Sequence, residues 1–144
     1  MTRAEAVAFF EEQQREWASR DADALTRRYT ADGTIISPIF RIVQGRDAIH
    51  QSYRSLFTSF PDWDYVGDAP LVDGDRIAQP FVVHATHSGE FFGLPGSGRA
   101  FDITGIRMFE IRDGLIAWER RLYDFTGLLI QLGVLRGKPP QSGA

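Results

Sequence analysis

The sequence predicts an α+β domain in which N-terminal helices cover one face of a curved antiparallel sheet. Three observations carry this. Apolar residues recur at helical spacing up to Phe60; from Trp63 onward the runs become rich in β-branched and aromatic residues; and two Asp-Gly pairs, Asp73-Gly74 and Asp113-Gly114, mark hairpins between those runs. Helices followed by a meander is the segregated α+β layout. The 144 residues have room for one core. A single domain over 1–135 is expected, with a loose Gly- and Pro-rich tail over 136–144.

Thr2-Arg-Ala-Glu5 reads as a capping box. The helix it opens places Val7, Phe10, Gln14 and Trp17 near one face, with Glu11, Glu12 and Arg15 outside. Asp21 or Asp23 caps a short second helix that ends near Tyr29. Ala31-Asp-Gly33 predicts a turn before a short strand, Thr34-Ile-Ile36, which Pro38 stops. A turn at Gln44-Gly45-Arg46 precedes a third helix carrying Ile49, Tyr53, Leu56, Phe57 and Phe60, and Pro61 ends it. Strands follow near 63–71, 76–87, 100–112 and 115–123, with Gly93-Leu-Pro-Gly-Ser-Gly98 as a rim between two of them.

Composition narrows the function. Apolar residues make up 43% and charged residues 24%, as in globular domains, and the net charge of −3 comes with no clustered basic face for nucleic acid. No apolar run approaches the ~20 residues of a membrane span. The first turns are polar and acidic, which predicts no signal peptide and suits a cytoplasmic protein. The absence of cysteine excludes disulfides, thiol nucleophiles and cysteine-ligated zinc. With only His50, His84 and His87, a histidine-rich metal site is not expected either, and no cofactor is called for.

A long sheet curled around helices cannot fill its concave side with its own side chains. Pro80, Gly89 and Gly105 are the positions where a bulge or bend would impose that curl. A concave apolar cleft with few polar groups is the usual small-molecule site. Trp17, Tyr29, Tyr53, Trp63, Met108 and Trp118 are the aromatic and soft side chains available to line it, mostly as core, and the tyrosines could also present hydroxyls. Glu110 and Arg107 have opposite parity on their strand, so only one of them enters the cavity. His84 and His87 also face opposite ways; His84, between Val83 and Ala85, is the better pocket candidate as a hydrogen-bond donor or proton carrier.

Several segments together resemble the SnoaL-like polyketide cyclases, a family of the nuclear-transport-factor-2-like superfamily. Thr86-His-Ser-Gly-Glu-Phe-Phe-Gly-Leu-Pro-Gly-Ser-Gly-Arg99 is similar to that family's loop between two long strands. Arg112-Asp-Gly-Leu-Ile116 resembles the hairpin that follows, and Asp124-Phe-Thr-Gly-Leu-Leu-Ile-Gln-Leu-Gly133 its closing segment. Gly45-Arg-Asp-Ala-Ile49 and Phe60-Pro-Asp62 fall where the family has its third helix and the next turn. The likeness runs from about Trp17 to Gly133.

The resemblance implies a cone-like α+β barrel, a homodimer, and a cofactor-free cyclase acting on a bulky apolar polyketide-like molecule. It implies an aspartate general acid/base at Asp124, where apolar neighbours predict partial burial suited to proton transfer. Glu110 and His84 are further catalytic candidates, and His87 belongs to the family-like loop. Ser37 and Glu110 stand where such cyclases often carry histidine, so a pericyclic or conjugate-type closure stands beside an aldol one. An epoxide hydrolase or isomerase using Asp124 or Glu110 is the alternative within enzymes, and a non-catalytic binding module the alternative outside them. The outer face of the sheet, with the Arg/Trp/Tyr-rich last strand, is the expected dimer surface.

Overall fold

The computed structural model describes residues 1–136, so of the expected tail only Arg136 falls within it. Helix α1 (Arg3–Ser19) opens on the expected box: Thr2 Oγ1 accepts from the Glu5 amide at 3.1 Å, and the Glu5 carboxylate accepts from the Thr2 amide at 2.8 Å. Its buried face is Ala6, Phe9, Phe10, Gln13 and Trp17, rotated one residue from the expected Val7 and Gln14. Gln14 instead ties the helix to the sheet edge through the Tyr65 carbonyl and the Gly67 amide. Helix α2 (Ala22–Arg27) is capped by Asp21, not Asp23.

The expected turn at Ala31–Gly33 lies inside a strand. β1 (Tyr29–Ser37) runs parallel to the last strand, and its register slips between Tyr29 and Thr34, so the turn residues form a bulge. β2 (Arg41–Gln44) pairs back on β1 after the Pro38 turn. This four-residue edge strand leaves Ile42 mostly exposed and shows no buried alternation in the sequence. Helix α3 (Arg46–Ser59) buries Ile49 and Tyr53 and stops at Phe60-Pro61 as expected.

The run near 63–71 divides into β3 (Asp64–Gly67) and β4 (Leu71–Asp73), because Pro70 cannot continue the ladder. Both pair with β5 (Arg76–Thr86), followed by β6 (Ala100–Arg112), β7 (Leu115–Tyr123) and a closing helix α4 (Phe125–Gln131). The sheet is curved, unclosed and mixed, in the order β2-β1-β7-β6-β5-β3, with β1–β7 its one parallel pair. Both Asp-Gly hairpins form. Asp113 and Gly114 each take a positive φ (52° and 75°), as a tight two-residue turn requires. Pro80 makes no bulge: its register with Ile106 is unbroken, and it sits where β5 passes from partner β4 to partner β3, so its missing N–H is not needed. The second register shift falls at Glu110/Ile111 rather than at Gly89 or Gly105. No helix among the described residues is long and apolar enough to cross a membrane.

Candidate functional site

Odd-numbered residues of β6 point at the helices: Phe101, Ile103, Arg107, Phe109 and Ile111 are buried, while Asp102, Thr104, Ile106 and Glu110 are exposed. In β7 the inward set is Ile116, Glu119, and the half-buried Arg121 and Tyr123. Between this surface and α1 and α3 lies a cavity of about 80 Å³. Its wall is apolar, from Leu56, Phe60, Phe81, Val83, Phe91, Ile103 and Leu128, with the indoles of Trp17 and Trp63. A wider hollow of about 480 Å³ lies outside it, between α3 and the β1–β2 hairpin, and the two share Ser37, Phe40, Leu56, Phe91 and Arg121. Phe40 and Phe91, edge to face at 6.3 Å, stand between them.

Among the described residues, the only charged side chains lining the inner cavity are Arg107 and Arg121. They are direct cross-strand partners, a like-charge pairing that needs a counterion. Glu119, on the same face of β7, supplies it. Arg107 Nε and Nη2 donate to its carboxylate at 3.0 and 3.1 Å, and Arg121 Nε and the Tyr29 hydroxyl donate to it as well. Around this core the polar groups interlock. Tyr29 and Tyr53 hydroxyls meet at 2.8 Å, Arg121 Nη2 donates to Tyr53 at 3.0 Å, and Arg107 Nη1 donates to Gln13 and to the Tyr65 hydroxyl. Tyr65 in turn donates to Gln79 at 2.7 Å. Two guanidiniums against one carboxylate leave one positive charge in excess.

Burial opposes charge on Glu119, but the Arg107 and Arg121 guanidiniums beside it win and hold the carboxyl down at about 2. Arg107 is buried, which lowers its affinity for a proton, yet the Glu119 carboxylate raises it well above its ordinary value; the same balance raises Arg121. Burial pushes the Tyr29, Tyr53 and Tyr65 hydroxyls up, Tyr29 the furthest because Glu119 adjoins it. Burial also pushes Tyr123 up to about 12. At neutral pH the floor therefore holds protonated donors and one carboxylate already engaged.

The structure distributes the sequence candidates unevenly. Trp17 and Trp63 line the inner cavity, Tyr53 the outer hollow, and Tyr29 lies behind them in the polar network. Met108 and Trp118 have outward parity, Trp118 lying under the Arg120 guanidinium at 5.6 Å. Neither histidine lines the inner cavity or the outer hollow: His84 is exposed and pairs with Asp102, whereas His87 is buried, bonds Ser97 Oγ at 3.0 Å and packs near Phe60. Glu110 faces solvent opposite Trp118. Asp124 is exposed rather than half-buried; it caps α4, its carboxylate accepting from the Gly127 amide at 2.8 Å. The strand ends one residue before it, which carries its side chain off the concave face. Asp124 and Glu110 therefore do not meet over the cavity. Among the described residues no three His, Asp or Glu side chains form a metal-ligating group. Glu119 and Arg121 are not among the residues the sequence singles out for the site, and Arg107 enters there only as the alternative to Glu110. Their signal is charge at apolar parity, and it becomes readable once the inward face is known.

The helices and curved sheet form a cone that is hollow on its concave side, with the charged lining residues among those described gathered at its floor. Residues 7–132 match the model of the SnoaL-like polyketide cyclases, and the chain belongs to that family. Similar solved structures include AclR from Streptomyces galilaeus, a candidate hydroxylase, at TM-score 0.82 and 22% identity over 96% of this chain and 91% of that one. TsrD from Streptomyces laurentii has TM-score 0.82 and 25% identity over 94% and 99% of the two chains. IdmH from Streptomyces antibioticus, a candidate polyketide cyclase, has TM-score 0.73 and 27% identity over 88% and 97%. A search of curated proteins gave no match.

Proposed function

We propose that this protein is a cofactor-independent cyclase that folds a bulky, mostly apolar polyketide-like molecule inside the cone and promotes its ring closure. Family membership and the likeness to IdmH support the class of activity. The single observation that carries the mechanism is an apolar cavity whose only charged lining residues, among those described, are Arg107 and Arg121.

The apolar wall rewards a compact ligand over an extended one, which brings reacting carbons together and removes part of the entropic barrier. A carbonyl oxygen pointed at the floor gains negative charge as the new carbon–carbon bond forms. The Arg121 guanidinium and the Tyr123 hydroxyl are preorganised donors for that charge, and burial makes each count for more than in water. In a cycloaddition the same donors would draw electrons from a carbonyl-activated double bond. The aldol route starts from an enolate whose α-proton, acidified by two flanking carbonyls, has passed to water, and the alkoxide it forms takes a proton back from water; the cycloaddition moves no proton, so neither route needs Asp124.

The test is ring closure of an acyclic poly-β-ketone or polyene carbonyl compound, followed by mass-neutral product analysis. Arg121→Gln should lower turnover by roughly 10²–10³-fold, the usual effect of deleting one such donor. A folded Arg121→Gln protein with full turnover would overturn this mechanism. Failure of the wild-type protein to close any such ring would overturn the function.

A further inference from the structure

Arg121 commits its Nε to Glu119 and its Nη2 to Tyr53, and its Nη1 makes no hydrogen bond among the described residues. Its side chain borders both the inner cavity and the outer hollow. The indole N–H groups of Trp17 and Trp63 are buried with no partner among the described residues, and both rings line the same cavity. Buried donors of this kind are rarely left unmet, so each marks a place for an acceptor. Tyr123 adds a hydroxyl beside them. Against these donors no carboxylate among the described residues lines the inner cavity; Glu119 lies behind the two arginines.

We propose that the cone selects its ligand as an oxygen anion, with an acidic phenol, enol or carboxylic acid bound in its deprotonated form against Arg121 and further carbonyl oxygens accepting from Trp17 and Trp63. An anion neutralises the surplus guanidinium charge, while a neutral isostere gains only apolar contact and leaves that charge uncompensated in an apolar cavity. An amine is disfavoured twice, by charge and by having donors where the wall also has donors. The ligand class is therefore an apolar skeleton with an acidic oxygen and neighbouring carbonyls, as in a β-dicarbonyl or hydroxyaryl ketone. This rests on the cone being the ligand site; it does not depend on ring closure.

The experiment titrates 4-nitrophenol, whose anion alone absorbs strongly in the visible, against the full-length protein, with 4-nitroanisole as its uncharged ether. The bound phenol should ionise at lower pH than the free one, with an acid constant raised at least tenfold, and the ether should bind at least tenfold more weakly. Arg121→Gln should abolish the ionisation shift, and Arg121→Lys, which keeps the charge, should retain most of it. Equal affinity for phenol and ether, suppressed ionisation on binding, or no binding of either overturns the proposal. Ionisation of the probe by a protein that closes no ring would sink the cyclase reading alone. Ring closure without anion preference would sink this inference alone.

Discussion

Replacing Glu119 with glutamine is the sharpest perturbation of the floor. Gln keeps the shape of the side chain but removes the charge that separates Arg107 from Arg121. Both Arg107 and Glu119 are almost wholly buried, at 1% and 0% side-chain exposure, so solvent cannot take the carboxylate's place. Removing one member of such a pair costs roughly 3–5 kcal/mol. The depressed Glu119 carboxyl points to the same order of magnitude. The carboxyl falls from an ordinary 4.5 to about 2 on folding. At about 1.4 kcal/mol per pH unit this drop contributes about 3 kcal/mol. Because the folded value is depressed, that stability is fully present above pH 4.5 and is lost as pH falls toward 2. In a domain of this size the loss should lower Tm by roughly 10–20 °C at neutral pH. Thermal melts followed by circular dichroism at several pH values between neutral and 2.5 provide the assay. The gap between wild type and Glu119→Gln should be widest at neutral pH and narrow steadily below pH 4.5. A gap under about 2 °C at neutral pH, or one that does not change with acid, would refute the reasoning, since a surface pair behaves that way.

Two further outcomes follow from other parts of the structure. Asp124→Asn preserves a residue suited to capping α4, so stability should change little and turnover should remain at the wild-type level; Asp124→Ala should lose about 1 kcal/mol of stability without loss of turnover per folded molecule. A hundredfold drop for Asp124→Asn in a folded protein would restore the acid/base role that the family resemblance implies. On the outer face, Ile106 and Leu122 are cross-strand neighbours, 44% and 50% exposed, beside Met108 and Trp118. A two-fold dimer through this face is expected, with light scattering near twice 16.2 kDa and Ile106→Lys shifting the protein toward the monomer; a wild-type monomer across micromolar concentrations would count against it.

Much of the fold was legible because its signals are local. The capping box, the Phe60-Pro61 stop and the two Asp-Gly turns each depend on a few adjacent residues, and each forms where the sequence places it. What was not legible depends on partners distant in sequence. Ala31-Asp-Gly33 has turn chemistry, yet hydrogen bonding to the last strand draws it into β1 as a bulge. Pro80 reads as a bulge or bend, yet it keeps an unbroken register and lies where the partner of β5 changes from β4 to β3.

The site turns on a single undecided binary, the parity of β6. Between Arg107 and Glu110 one had to face the cavity, and the two residues taken alone do not say which. The strand as a whole does: Phe101, Ile103, Phe109 and Ile111 share parity with Arg107, whereas Asp102, Thr104, Ile106 and Met108 share it with Glu110. Once Arg107 is inward, the ladder fixes Arg121 opposite it, and the β7 pleat puts Glu119 on the same face. A buried arginine facing another across a ladder cannot persist without an anion within reach, so the position of Glu119 follows from that of Arg107. The same reasoning removes Glu110 and His84 from the cavity together, because each is opposite an outward neighbour, Trp118 and Asp102 respectively. The resemblance implies an aspartate, Asp124, suited to moving a proton. The parity of the strands instead puts the Arg107 and Arg121 guanidiniums at the floor of the cavity, and under the proposed function it is this floor that holds negative charge on oxygen.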